Sequence, residues 1–123
     1  MTSKEPNHKL PSRRLRAYER VNVSGDVVIH NEENLFIAPL ANLSAGGCFV
    51  SGIETIAEGT EIKIVVRCKK LPHPVQARGT VVRVENGSRR GVAIEFTSIT
   101  PKSRETIQTL VHELKMESAL KIL

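Results

Sequence analysis

Short runs of β-forming residues separated by turn residues fill the chain from residue 21 to residue 96, and they constrain its fold more than any other feature. The run Glu61–Cys68 alternates apolar and polar residues, which is the pattern of a half-buried strand. Asn86-Gly87 separates two more alternating runs, and this dipeptide is the strongest short-range signal for a β-hairpin. Six such runs predict an all-β barrel or sandwich.

The turn residues set the expected strand limits. We expect the first strand to cover residues 21 to 29, with a kink at Ser24-Gly25, and the second to cover residues 35 to 40. The third, Gly47-Cys48-Phe49-Val50, follows directly from a turn rich in glycine. Any ligand held at that turn is therefore expected to touch the start of this strand.

Alternation in the hairpin of residues 75 to 85 and 91 to 96 predicts which side chains face the core. Val82 and Val84 are expected to point inward against the apolar residues of the second strand. Arg83 and Glu95 are expected outside the barrel or at its rim.

A helix is predicted after the strands, beginning at Thr100-Pro101 with an N-cap residue followed by proline at the first helical position. Apolar residues then recur with helical spacing, which predicts one stripe packed against the strands near the barrel mouth. The members of the stripe are Ile107, Leu110, Val111 and Leu114. Further apolar residues from 119 to 123 predict a contact with another protomer or protein.

The length of 123 residues, 40% of them apolar, is enough for one domain and its core. Residues 1 to 12 are almost without apolar side chains and are expected to form a flexible N-terminal arm. We expect the domain to span residues 13 to 115, with its helix from about residue 101. Residues 116 to 123 are expected to be a tail or an extension of that helix.

The charge balance favours anionic partners. Eighteen Lys and Arg residues against thirteen Asp and Glu residues give a net charge of +5, with a pI near 9.6. No apolar run approaches the roughly 20 residues of a membrane-spanning helix, and no signal-peptide pattern is present, so a cytoplasmic location is expected. Cys48 and Cys68 lie in apolar runs and are expected to be structural.

Two short signatures carry the chemistry of the sequence: Arg16-x-x-x-Arg20 and, further on, Asn42-x-Ser44-x-x-Gly47. An arginine fork can hold a phosphate or a guanine edge, and glycines let backbone amides approach an anion closely. The arginine pair could instead be a solvated basic face, and the second signature could be a plain Asx or Ser turn. The same pattern recurs in residues 86 to 91, where the hairpin turn explains it without a ligand.

Other functional classes find little support in the sequence. The four histidines have no metal-ligand spacing, so no metal site is expected. No nucleophile motif, phosphate-binding Walker loop or supported carboxylate pair is present, so an enzyme is not expected. Aromatic residues make up 3% of the chain, which leaves almost no stacking platforms for single-stranded nucleic acid.

The two signatures together resemble the PilZ domains, bacterial receptors for the second messenger cyclic di-GMP. The similarity also includes Gly79-Thr80-Val81-Val82-Arg83-Val84 and Gly91-Val92-Ala93-Ile94-Glu95-Phe96, which resemble the late hairpin of that family. The resemblance implies a six-stranded antiparallel PilZ-type β-barrel with a C-terminal helix. It also implies a non-enzymatic receptor or adaptor that relays cyclic di-GMP to a protein partner.

The resemblance implies roles for individual residues. Arg16 and Arg20 would hold phosphate and guanine, Asn42 and Ser44 would hydrogen-bond the nucleotide, and Gly47 would permit close approach of the backbone. Additional ligand contacts are expected from Arg13, Arg14, Gly46 and Arg83. Leu15, just before the first signature arginine, favours a single bound nucleotide, whereas Arg13 and Arg14 could stack on a second guanine.

Two alternatives to the cyclic di-GMP receptor stay open. One is a small basic barrel that binds nucleic acid nonspecifically through Lys69, Lys70, Arg89, Arg90 and the N-terminal arm. The other is a ligand-silent interaction module with the same fold, which would bind its protein partner whether or not nucleotide is present. Salt dependence of nucleic-acid binding and nucleotide dependence of partner binding distinguish the three.

Overall fold

A computed structural model describes residues 18–32, 34–52 and 56–122, which form seven β-strands followed by one helix. The strands are β1 (Arg20–Asn22), β2 (Gly25–Asn31), β3 (Asn34–Ser44), β4 (Gly47–Ser51), β5 (Glu61–Cys68), β6 (Val75–Glu85) and β7 (Gly91–Ser98). The helix is α1 (Pro101–Ile122).

Six of the strands close into an antiparallel barrel. They are hydrogen-bonded in the order β3-β2-β5-β6-β7-β4, and β4 pairs back to β3. Closure requires every strand to have a neighbour on both sides, which removes the unpaired edges of an open sheet. The six-stranded barrel with a C-terminal helix is therefore confirmed, and β1 is an additional strand paired with the end of β3.

The prediction of one kinked strand over residues 21 to 29 is wrong, because the chain forms two separate strands there. Val21 of β1 pairs with Leu43, whereas Val27 of β2 pairs with Ala38 further back on β3. Gly25 at the break approaches the carbonyl oxygen of Arg67 so closely that a side chain would collide with it. A register shift in β3 next to Ala41 accompanies the break, so the two strands follow different parts of the same neighbour.

The core fills the barrel and continues under the helix. Ile62, Ile64 and Val66 are buried while Glu61, Lys63 and Arg67 are exposed, which confirms the predicted alternation in β5. The predicted helical stripe is also confirmed. Ile107, Leu110 and Val111 are buried, and Leu114 packs against the same core as a partly buried residue.

The inward orientation predicted for Val82 in the hairpin of β6 and β7 is wrong. A register shift between Val81 and Arg83 reverses the alternation, so Val81 is fully buried in the barrel and Val82 packs against a separate outer cluster. Glu95 alternates with the core residues Ile94 and Phe96 and therefore lies on the outer face as expected, although it is only 7% exposed there.

The helix begins as predicted. The Ser103 amide donates to Oγ1 of Thr100 over 3.1 Å, which is the N-cap bond, and Pro101 is the first helical residue. The helix is continuous to Ile122, and residues 115 to 121 are exposed, including Met116 and Leu120. The contact of this end with another chain stays a prediction. No helix within the described ranges is long and apolar enough to cross a membrane.

Cys48 gives a prediction about stability at alkaline pH. Complete burial raises the pKa of its thiol from 9.0 to about 12, so above pH 9 the unfolded chain loses this proton and the folded chain keeps it. The free energy of unfolding should therefore fall by about 1.4 kcal/mol per pH unit from this group between pH 9 and about 12. Urea unfolding of wild type and Cys48→Val across this range measures it, and equal pH slopes would contradict it.

Candidate functional site

The turn between β3 and β4 is held by the side chain of Ser44. This residue is fully buried, and its Oγ accepts hydrogen bonds from the amides of Gly46 and Gly47, both over 3.1 Å. The hydroxyl in turn donates to the carbonyl oxygen of Gly47 over 3.3 Å. These bonds are those of a Ser turn, the alternative that the sequence left open, and a direct bond from Ser44 to a nucleotide stays a prediction.

Ser44→Ala should destabilise the fold by about 2 kcal/mol, because two buried amides lose their acceptor. The matched control is Ser88→Ala in the second copy of the same pattern, where the serine is exposed and a change within about 0.5 kcal/mol is expected. Urea unfolding followed by circular dichroism measures both. Equal effects of the two substitutions would show that the first turn is no more dependent on its serine than the second.

Five residues form a row across the outer face of the barrel. Asn22 of β1 lies opposite Asn42 of β3, and Asn42 lies opposite Phe49 of β4. Phe49 in turn pairs with Ala93 of β7, and Ala93 pairs with Arg83 of β6. Directly paired residues project from the same face of a sheet, so segments distant in sequence contribute to one surface.

A cavity of about 350 Å³ opens on this surface. It is lined by Arg20, Asn22, Asn42, Phe49, Arg83, Glu85 and Arg89. The two signatures therefore meet here, since Arg20 comes from the first and Asn42 from the second. Ser44, Gly46 and Gly47 support the neighbouring turn and do not line the cavity. Arg13, Arg14 and Arg16 lie outside the described residues, as does the predicted arm of residues 1 to 12.

The electrostatics of the cavity favour an anion. Three guanidinium groups line it against one carboxylate, that of Glu85, which accepts from Nε of Arg83 over 2.7 Å. The guanidinium of Arg89 lies 5.3 Å from the centroid of the Phe49 ring. Arg89 and Phe49 therefore make a cation-π contact.

Asn42 carries an unused hydrogen-bond acceptor at this site. Its Oδ1 is buried and accepts no hydrogen bond from the part of the chain that the structure describes. A buried polar atom without a partner costs free energy and calls for an explanation. A ligand N–H donor placed against the outer face would satisfy it.

The helix holds both signature segments together through Arg104. Its Nη1 donates to the hydroxyl of Tyr18 and to the carbonyl oxygen of Ala45, each over 3.1 Å, and its guanidinium lies 5.5 Å from the Tyr18 ring centroid. Tyr18 packs over Gly46 so closely that a Cβ there would lie 2.6 Å from the ring. The role of Gly46 is therefore to admit Tyr18, which lies between the two arginines of the first signature.

Sequence reasoning missed four of the lining residues: Asn22, Phe49, Glu85 and Arg89. Asn22 and Phe49 could have been found from strand pairing with Asn42, but this required the separate strand β1 and its register. Arg89 lies in the loop between β6 and β7, and the sequence of that loop does not indicate which strand the loop covers. Among the described residues, no group of His, Cys, Asp and Glu side chains could hold a metal ion.

Fold and cavity together define a small β-barrel that carries a cationic cavity on its outer face. Residues 14–113 match the PilZ domain family, so the chain belongs to that family. No curated protein matches the chain in sequence.

Solved structures share this fold at low sequence identity. The inhibitor of motility MotI/DgrA from Bacillus subtilis superimposes with a TM-score of 0.72 at 20% identity, covering 81% of this chain and 51% of that one. YcgR from Escherichia coli, solved in complex with c-di-GMP, gives 0.72 at 17% identity, covering 85% and 48%. MrkH of K. pneumonia with c-di-GMP gives 0.67 at 12% identity, covering 85% and 54%. The chain thus spans about half the length of these proteins.

Proposed function

We propose that this chain is a non-enzymatic receptor for cyclic di-GMP that relays the level of the nucleotide to a protein partner in the bacterial cytoplasm. One observation carries the proposal: Arg20 and Asn42, from two separate signatures, line one cationic cavity on a PilZ fold. The structural similarity to YcgR and MrkH, both solved with c-di-GMP, supports the choice of ligand.

The chemistry of the cavity matches the parts of the nucleotide. Arg16 and Arg20 would hold the phosphates, since a guanidinium fork fits two phosphate oxygens. The buried Oδ1 of Asn42 would accept an N–H bond from a guanine edge. Arg83 and Arg89 also line the cavity, where they could contact the other phosphate or a guanine ring of the nucleotide. Arg13 and Arg14 would stack on a second guanine if two nucleotides are held.

The expected affinity is micromolar or better. Each charge-assisted hydrogen bond contributes roughly 1.5 to 3 kcal/mol net, and micromolar binding corresponds to about 8 kcal/mol. Several arginine contacts reach this value even after the cost of ordering flexible groups is subtracted.

Isothermal titration calorimetry tests the proposal directly. Wild-type protein should bind cyclic di-GMP and discriminate against cyclic di-AMP, which lacks the guanine N–H donors facing Asn42. No heat of binding with cyclic di-GMP would remove the receptor function and leave a ligand-silent interaction module. Equal affinity for the two dinucleotides would remove the assigned role of Asn42.

The nucleic-acid alternative requires one continuous basic surface. Lys69 and Lys70 precede β6, and Arg89 and Arg90 follow it. Lys69 and Lys70 line a cleft that shares Asn22 with the cavity lined by Arg89, so these cations lie on adjoining surfaces and the alternative is decided by its salt dependence. Weak DNA binding without a steep dependence on salt would count against this alternative.

A further inference from the structure

A second, larger cleft lies beside the nucleotide cavity. It has a volume of about 1080 Å³ and is open along one side. Its walls are the turn between β1 and β2, the loop between β5 and β6, and the side of α1 at Leu114. Neither signature accounts for it, because half of the residues that line it come from the turn and the loop.

The floor of this cleft is apolar. Leu40 and Leu71 form part of it and are 4% and 6% exposed. Val23 and Leu114 stand at its sides and are only partly buried by the core. An apolar side chain inserted between them would bury surface that the barrel leaves accessible to water.

The rim of the cleft is positively charged. Lys69 and Lys70 are exposed there, next to Arg67. Asp26 is the one carboxylate among the described lining residues, and its Oδ1 accepts from Nε of Arg67 over 2.7 Å. The two lysines therefore have no carboxylate within the cleft to neutralise them.

We propose that this cleft docks an acidic segment of a partner protein, with apolar side chains on the floor and carboxylates against Lys69 and Lys70. Charge complementarity selects this occupant. A second copy of this chain carries a net charge of +5, and residues 1 to 17 of the chain itself hold more basic than acidic residues. Both would bring like charge to the lysines.

The cleft and the nucleotide cavity share a wall. Asn22 lines both, and Ala41 lines the cleft while it packs against the cluster of Phe49 and Ala93 beneath the nucleotide cavity. Asn42, the next residue, lines the nucleotide cavity. Any shift of β1 or of the irregular step at Ala41 on nucleotide binding therefore reaches the docking cleft directly. This coupling rests on the proposed function, whereas the docking of an acidic segment does not.

The test uses a display library of short random peptides selected on the full chain. Selected peptides should be rich in Asp and Glu around Leu, Ile or Phe. Their affinity, measured by fluorescence anisotropy, should fall at least about ten-fold on the variant Lys69→Glu/Lys70→Glu. The matched control is Lys63→Glu/Lys102→Glu, which makes the same charge change at two exposed lysines outside the cleft and should change affinity less than about two-fold.

The outcomes separate the docking site from the nucleotide site. Recovery of basic or uncharged peptides, or equal losses in the two double variants, would overturn the docking proposal. Calorimetry with cyclic di-GMP on Lys69→Glu/Lys70→Glu should give the wild-type affinity, because neither lysine lines the nucleotide cavity. If saturating cyclic di-GMP leaves peptide affinity unchanged, the coupling is wrong while peptide loss in the variant still supports docking. Tight binding of DNA by the same two lysines, with no acidic peptide selected, would assign the cleft to nucleic acid.

Discussion

Arg20→Ala will weaken cyclic di-GMP binding by about a hundred-fold. The side chain lines the nucleotide cavity, and its loss removes a fork that can make two charge-assisted bonds to phosphate or guanine. Two such bonds are together equivalent to roughly 3 kcal/mol, which is about two orders of magnitude in the dissociation constant. Calorimetry on wild type and variant measures the ratio, and Arg16→Ala should give a loss of similar size.

Arg20→Lys separates charge from shape. Lysine keeps the positive charge but cannot form the planar two-point contact, so its affinity should lie between those of wild type and Arg20→Ala. Arg78→Ala is the matched control, because Arg78 is exposed on β6 and does not line the nucleotide cavity. Retained tight binding in both Arg16→Ala and Arg20→Ala would place the ligand elsewhere. An equal loss of affinity in Arg78→Ala would mean that the loss in Arg20→Ala comes from the change in net charge alone.

Arg104→Ala will lower both the stability of the fold and its affinity for cyclic di-GMP. One guanidinium donates to Tyr18 and Ala45 and covers the Tyr18 ring. Loss of two hydrogen bonds and a cation-π contact should cost about 2 to 3 kcal/mol in the free energy of unfolding. Both signature segments lose a common support, so nucleotide affinity should fall about ten-fold although Arg104 does not line the cavity.

A double-mutant cycle isolates this support from general damage. Tyr18→Phe removes the hydroxyl that accepts from Arg104, and combining it with Arg104→Ala should cost less than the sum of the two single changes. Lys102→Ala, an exposed cation in the same helical turn, is the matched control and should leave both quantities unchanged. Additive losses would mean that the Arg104 contact does not couple Tyr18 to the helix. A stability loss with unchanged affinity would limit Arg104 to folding.

The barrel was predictable from the sequence because its signals are local. The alternation of β5, the Asn86-Gly87 turn and the helical stripe after Thr100 each depend on neighbouring residues, and the structure confirms all three. Register shifts, in contrast, could not be predicted from local sequence patterns. The irregular steps at Ala41 and Val82 arise from how strands fit against their neighbours, and each reverses the alternation that a sequence pattern assumes.

The site was predictable only in part, because its assembly also depends on the pairing of strands that are distant in sequence. Arg20 and Asn42 could be named from short motifs, but their convergence depends on β1 lying beside the end of β3. The apolar floor at Phe49 and the cations at Arg83 and Arg89 come from three later segments whose pairing is not encoded in any motif. Ser44, which the motif assigns to the ligand, instead has an observed role in shaping the turn.

The strand that carries Arg20 is the shortest of the seven described strands and pairs with the barrel from outside it. β1 is three residues long, and its one described strand pairing is with β3. Loss of this pairing would remove Arg20 from the cavity, so substitutions at supporting residues such as Tyr18 should change the affinity of the proposed receptor for its ligand. Substitutions of this kind would change the nucleotide concentration at which the proposed receptor responds while leaving the residues that line the cavity unchanged.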